Sequence, residues 1–256
     1  MFDFLENYKE KREKKNSVLC IGLDPAPQQV EGKEVLNYCL DMVERTGEYA
    51  IAYKTNTQYI LFHLGINDLK ELNKKISKAG CISILDHKLS DIGSSNEAAI
   101  YRIKEAGFEA FTASPFPGNI KETTDHAHRG GLAVIFLTLM SNSQAVWIQK
   151  EAMINSRPLY QKIAEEVKNN GADGLVIGTT GHITSQDMLM TRQLAGSNAI
   201  FLCPGIGAQG GDMEKAVKNA GQNVLINVGR AILGDVSPKK KAEEYREQMN
   251  KYRESM

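Results

Sequence analysis

Three charged side chains, Asp86, Lys88 and Asp91, directly follow the apolar run Ile82-Ser83-Ile84-Leu85. In a strand, Ile84, Asp86 and Lys88 alternate and so share one face. Aspartate and lysine are almost never fully buried unless paired. A carboxylate and an ammonium at the tip of a buried strand therefore suit chemistry better than packing, and charge clusters of this kind favour functional sites. A structural ion pair is the bland alternative, but buried pairs often add little net stability. Asp91 leaves the alternation and precedes Gly93, which predicts a turn. Ser94-Ser95-Asn96-Glu97 then reads as a capping box opening a helix.

Other strand-like segments also end in polar groups. Ser17–Asp24 ends in Asp24, which could also be a turn former before Pro25. Ala50–Lys54 ends in Lys54, followed by Thr55 and Asn56. Leu132–Leu137 leads to Ser141, whose plain reading is an ordinary loop serine. Ala199–Cys203 leads to Pro204-Gly205-Ile206-Gly207-Ala208-Gln209-Gly210-Gly211-Asp212, and Val224–Val228 contains Asn227 and leads to Gly229-Arg230. With Ile82–Asp86, Ala110–Ala113 and Gly174–Ile177 these make a set of eight strands.

Helical spacing separates most of them: Leu36, Leu40 and Val43; the stretch to Lys78 with a break near Gly65; Lys121–His128; near Asp187–Leu194; Met213–Ala220; and near Lys239–Tyr252. Eight strand–helix units in 256 residues predict an α/β fold, a (β/α)8 TIM barrel in which residues 1–256 form a single domain. An open doubly wound sheet is the alternative. In a barrel the carboxyl ends of the strands share one rim, so the charged groups converge there. Phe2, Leu5 and Tyr8 predict a short amphipathic N-terminal helix packed on the body. The connection Thr138–Arg157 is long enough to be a lid or binding loop, with Trp147 and Met153 either capping the mouth or packing the loop down.

Gly205–Gly210 matches GxGxxG. One strand remains after it, too few for a dinucleotide-binding half. A phosphate cradle fits better, with glycine backbone N–H groups, a helix N-terminus and Arg230 as a bidentate partner. Barrel enzymes bind phosphate in these last two loops. His126 and His128 face apart on a helix, so no metal site is expected. Formal net charge is zero, which gives no basis for a nucleic-acid partner. The charged N-terminal segment and the lack of a long apolar run predict neither a secretion signal nor a membrane span. Scattered Cys20, Cys39, Cys81 and Cys203 predict free thiols in a reducing cytoplasm.

From Leu19 to Leu233 the ordered set resembles the orotidine 5′-monophosphate decarboxylase family. DHKLSDI fits its DxKxxDI pattern, AYKTN its second-strand lysine, GLDP its first-strand aspartate and TLMSN its fifth-strand serine; PGIGAQGGD and NVGRAI fit its two phosphate loops. The resemblance implies cofactor-free decarboxylation of a nucleotide, with Lys88 as proton donor in a Lys54-Asp86-Lys88-Asp91 charge network. It implies ribose contacts from Asp24 and Lys54, a pyrimidine contact from Ser141, and phosphate binding around Pro204 by Gln209, Gly229 and Arg230. It further implies a homodimer in which Asp91, and Ser95 with it, reach the neighbouring subunit's site. Ser95 stands where the family pattern usually has threonine, and the hydroxyl survives. The long segment after Ser141 does not resemble the compact forms of the family. Two other readings compete: a magnesium-dependent sugar-phosphate decarboxylase or aldolase sharing DxKxxD, and a non-catalytic barrel that binds a phosphate ligand.

Overall fold

The computed structural model describes residues 3–26, 30, 32, 34–207 and 211–255. Helix α1 (Phe4–Lys15) starts at Asp3, whose carboxylate accepts the Glu6 N–H, and ends at Asn16 in a left-handed conformation. Then strands and helices alternate: β1 (Leu19–Gly22), α2 (Glu34–Thr46), β2 (Ala52–Asn56), α3 (Thr57–Ile60), α4 (Ile66–Lys78), β3 (Ile82–Leu89), α5 (Gly93–Glu105), β4 (Ala110–Ala113), α6 (Ile120–Arg129) and β5 (Ala133–Leu139). A small hairpin, β6 (Met153–Ile154) and β7 (Arg157–Pro158), precedes α7 (Leu159–Asn169). The rest are β8 (Gly174–Ile177), α8 (Ser185–Ala195), β9 (Ile200–Pro204), α9 (Met213–Ala220), β10 (Val224–Val228), α10 (Arg230–Leu233) and α11 (Pro238–Glu254).

Eight strands close into a parallel barrel in the order β1-β10-β9-β8-β5-β4-β3-β2. This is the (β/α)8 architecture expected from the strand–helix alternation. The period of two explains its two apolar layers. Ala52, Ile82, Ile84, Ile135, Leu202 and Leu225 fill the barrel interior. Their neighbours Tyr53, Leu85, Phe111, Phe136 and Phe201 point outward under the helices. Each isoleucine, leucine and phenylalanine among them contributes about 1.5–3 kcal/mol by leaving water.

Helix α1 closes the end of the barrel opposite the site. Phe4 and Tyr8 join the interior cluster, and the Tyr8 hydroxyl donates to Val224 O at 2.8 Å while accepting Val224 N–H at 3.0 Å. Leu5, half-buried, packs against the same cluster as expected, Phe4 joins it, and Phe2 lies outside the described residues.

Several local expectations change. Helix α7 was not anticipated, although Tyr160, Ile163, Ala164 and Val167 form its buried stripe. The long connection is not a plain loop: it folds into a 3₁₀ turn (Ser143–Ala145), a π-helical turn (Trp147–Glu151) and the β6–β7 hairpin. It leaves Trp147 and Met153 exposed, so neither packs the segment down. The capping box at Ser94 is absent. The N-cap of α5 is Ile92, with no side-chain cap, and the Glu97 carboxylate instead meets His126 at 3.3 Å. The register of β3 shifts between Leu85 and Leu89, and Lys88 has φ 55. Simple alternation therefore fails at Lys88. All four cysteines are buried and free, as expected.

Candidate active site

The carboxyl ends of neighbouring strands bring the predicted charges together. Lys54, near the end of β2, is almost fully buried. Its Nζ lies 3.2 Å from Asp86 Oδ2 and 3.6 Å from Asp24 Oδ2. Lys88 Nζ lies 2.8 Å from Asp86 Oδ1. Asp24 is held by the Asn56 N–H, which donates to its Oδ1 at 3.1 Å. The result is an alternating row of charges, Asp24–Lys54–Asp86–Lys88, across three adjacent strands.

Burial raises the Asp86 carboxyl, but Lys54, Lys88 and the Thr112 hydroxyl outweigh it and hold the group at about 2. Burial likewise lowers the Lys54 ammonium, and Asp24 and Asp86 more than reverse that, so its pKa ends above the ordinary value. Both groups are therefore ionised at neutral pH. His87 points elsewhere: burial and the Lys88 charge lower its pKa, and its Nδ1 meets Thr57 Oγ1 at 3.1 Å.

A stability prediction follows from the sign of the Asp86 shift. Its folded value is depressed from 3.8 to about 2. Its contribution, roughly 2 kcal/mol, is full above about pH 4 and is lost as pH falls towards 2. Melting curves of the protein and of Asp86→Asn should differ most at neutral pH and converge below pH 4. A temperature gap that stays constant across that acid range would contradict the assignment. Lys54 acts with the opposite sign, and its contribution is lost only in strong alkali.

A cavity of about 230 Å³ opens beside this row, lined among others by Asp24, Lys54, Asp86, Pro204, Gly229 and Arg230. Three members of the charged row and parts of both expected phosphate loops thus share one cleft, which Lys88 adjoins through its ion pair with Asp86. Asn56, Tyr59 and Asn227 also line it and had not been singled out; Asn56 and Asn227 were visible as strand-end residues. The larger groove near Lys168 and Gly196 lies at the other end of the barrel.

The glycine loop after β9 is built for close approach. Gly205 and Gly207 have φ of 107 and 87, and Gly211 N–H donates to Gly205 O at 3.0 Å, closing the neck of the loop. A Cβ at Gly211 would come within 2.5 Å of Gly205 O and Thr179 Oγ1. Gln209 lies outside the described residues. The N-terminus of α9 is occupied by the Asp212 carboxylate, which accepts the Lys215 N–H at 2.8 Å. Gly229 and Arg230, at the start of α10, have no such carboxylate cap.

Three predicted residues stand outside the charged row. Ser141 is half-buried after β5, packed against Gly178 and Gly181, and does not line the cavity. Ser95 is exposed in the first turn of α5. Asp91 is also exposed and, among the described residues, joins no ion pair. Its backbone is nevertheless fixed: Asn96 and Asn119 Nδ2 donate to Asp91 O at 2.7 and 3.0 Å. Among the described residues no group of three or more His, Cys, Asp or Glu could hold a metal ion, and no helix is long and apolar enough to cross a membrane.

The sequence profile of the orotidine 5′-phosphate decarboxylase / HUMPS family matches residues 17–245. The chain belongs to this family. It is 32% identical to the orotidine 5′-phosphate decarboxylase of Cupriavidus metallidurans, over 90% of this chain and 89% of that one. It is equally similar, 32%, to the orotidine 5′-phosphate decarboxylase of Ralstonia nicotianae, over 98% and 99%. Among solved structures, the OMP decarboxylase of Leishmania donovani superposes with a TM-score of 0.85 at 29% identity, covering 99% of each chain. The UMP synthase of the same organism gives 0.87 at 30% identity; the chain spans 57% of that longer protein. The family match spans every element that supplies the charged row and the glycine loop.

Proposed function

We propose that this chain decarboxylates orotidine 5′-monophosphate to uridine 5′-monophosphate and carbon dioxide, the final step of de novo pyrimidine nucleotide synthesis. The observation that carries the proposal is that Asp24, Lys54 and Asp86, the last ion-paired to Lys88, share one cavity with Gly205, Gly229 and Arg230. Relatives and structural neighbours named for this reaction support it.

The chemistry follows from the charges. Breaking the bond between the ring and its carboxylate releases carbon dioxide and leaves an electron pair in the ring plane. The ring π-system cannot delocalise that pair, so the protein must stabilise it electrostatically. Lys88 supplies a cation beside it and then the proton that ends the step. One unit-charge contact at ~4 Å is worth about 4 kcal/mol at an effective dielectric near 20. Enzymes commonly supply about 8–23 kcal/mol. Lys88 alone is insufficient, and the remainder comes from the pre-organised row and from remote phosphate binding. Asp24 and Lys54 serve the ribose; Ser141 serves the pyrimidine; Pro204, Gln209, Gly229 and Arg230 serve the phosphate.

The functional unit is a homodimer in which Asp91, with Ser95, completes the partner's charge network. Its support is a set of exposed apolar side chains in the loops of three neighbouring strands, one of them directly after Asp91. Phe62, Ile92 and Phe116 are 93%, 62% and 82% exposed. They follow β2, β3 and β4, three adjacent strands of the barrel. Large exposed apolar side chains gathered on one part of a surface mark interaction sites. Residues 1–256 act as one barrel domain. Buried free thiols suit a cytoplasmic setting.

The magnesium-dependent reading fits the donors poorly. The Lys54 ammonium already stands between the Asp24 and Asp86 carboxylates that a divalent cation would need. One assay separates the readings: purified protein, orotidine monophosphate and excess chelator, followed by ultraviolet absorbance. Conversion should proceed at an undiminished rate. Loss of conversion on chelation, restored by magnesium, would favour the metal-dependent class. Tight nucleotide binding without any conversion would favour a binding barrel.

A further inference from the structure

Strands β3 and β4 pair at Ile84 with Ala110 and Leu85 with Phe111, and again at Leu89 with Ala113. Between these points β3 carries Asp86, His87 and Lys88, whereas β4 carries Thr112 alone. Extra residues in one strand bow it out of the ladder and re-aim its side chains. Lys88 sits in this bow at φ 55, a conformation that a lysine keeps only where the surroundings impose it.

Thr112 takes up what the bow releases. Its buried hydroxyl accepts the Lys88 N–H at 3.0 Å and donates to Asp86 Oδ1 at 2.8 Å. The same carboxylate oxygen receives Lys88 Nζ at 2.8 Å. One hydroxyl therefore closes a ring through the Lys88 backbone, the Lys88 ammonium and the Asp86 carboxylate. A hydroxyl can donate and accept at once. Valine would keep the shape and lose both bonds; serine would keep both bonds and lose a methyl.

We propose that Thr112 is a positioning residue of the decarboxylation site: its hydroxyl pins the β3 bow so that Asp86 and Lys88 meet the reacting carbon in fixed geometry. The proposal rests on the catalytic roles given above to Asp86 and Lys88. Among the described residues the Thr112 hydroxyl bonds to Lys88 and Asp86 and not to the phosphate loops or the Asp24–Lys54 pair, so nucleotide affinity should be spared. Loss of a buried hydrogen bond to a charged group, at a centre where small displacements matter, lowers kcat by about 10- to 100-fold.

Steady-state kinetics and UMP affinity should be measured for Thr112→Val, Thr112→Ala and Thr112→Ser beside Lys88→Ala. Valine and alanine variants should lose about 10- to 100-fold in kcat, with KM and UMP affinity within about threefold, and serine should recover kcat to within about threefold. The serine–alanine pair shares the lost methyl and differs in the hydroxyl, so it remains informative even if the valine variant folds poorly. Equal kcat for serine and alanine variants, with Lys88→Ala inactive, would overturn the role of Thr112 alone. An active Lys88→Ala protein would overturn the roles of Lys88 and Asp86, and with them this one.

Discussion

Lys88→Ala should bind nucleotide almost as well as the unmodified protein and turn it over about 10⁴-fold more slowly or worse. A positioned proton donor is worth about 10²–10⁴-fold, and a charge aimed at a developing anion a further 10²–10³-fold. The two losses coincide in one ammonium, which stands 2.8 Å from Asp86 at the mouth of the barrel. Binding should survive because the proposed phosphate cradle follows β9 and β10, across the cavity from β3. Lys88→Arg separates the two contributions. Guanidinium keeps the positive charge but does not give up its proton at neutral pH. It should bind nucleotide as Lys88→Ala does and regain at most the electrostatic share of turnover, about 10²–10³-fold, without the proton-donor share. Single-turnover kinetics and a UMP titration on each variant would check both statements. Turnover of Lys88→Ala within tenfold of the unmodified protein would remove Lys88 from the mechanism.

The strands were legible in the sequence because burial on both faces leaves short apolar runs, as in Ala110–Ala113 and Gly174–Ile177, whose bounds match the structure. Ends set by loop geometry were less legible: β2 and β5 run two residues further than their apolar runs, to Asn56 and Leu139. The stripe of α7 is present in the sequence but follows directly on the long irregular connection. Asp24, Lys54, Asp86 and Lys88 were readable because charged residues at strand ends have no packing purpose. Thr112 was not readable. A threonine in a strand is ordinary, and its role exists only because β3 loses register opposite it. The mistaken capping box has a similar cause. Asn96 turns its side chain back to the Asp91 carbonyl, a contact that local pattern does not reveal.

That contact bears on the second large effect. Asp91 has an immobilised backbone and an exposed side chain. Asn96 and Asn119 fix its carbonyl from two different elements, and the Ile92 N–H donates to its Oδ1 at 2.8 Å. A carboxylate held so firmly, with no ion pair among the described residues and with exposed Ile92 beside it, is what the proposed shared site requires. Asp91→Asn should therefore be nearly inactive although it leaves the Lys54–Asp86–Lys88 contacts of its own barrel intact. Mixing provides the decisive measurement. In a heterodimer of Lys88→Ala with Asp91→Asn, one site carries both defects and the other carries neither. Equal amounts, exchanged at random, should regain about a quarter of the unmodified activity, since half the dimers are mixed and each has one intact site. Recovery should follow the rate of subunit exchange, monitored by differently tagged chains. If exchange is complete and activity stays at the level of the separate variants, Asp91 serves its own barrel and the shared site is wrong. If Asp91→Asn is fully active alone, the carboxylate serves neither.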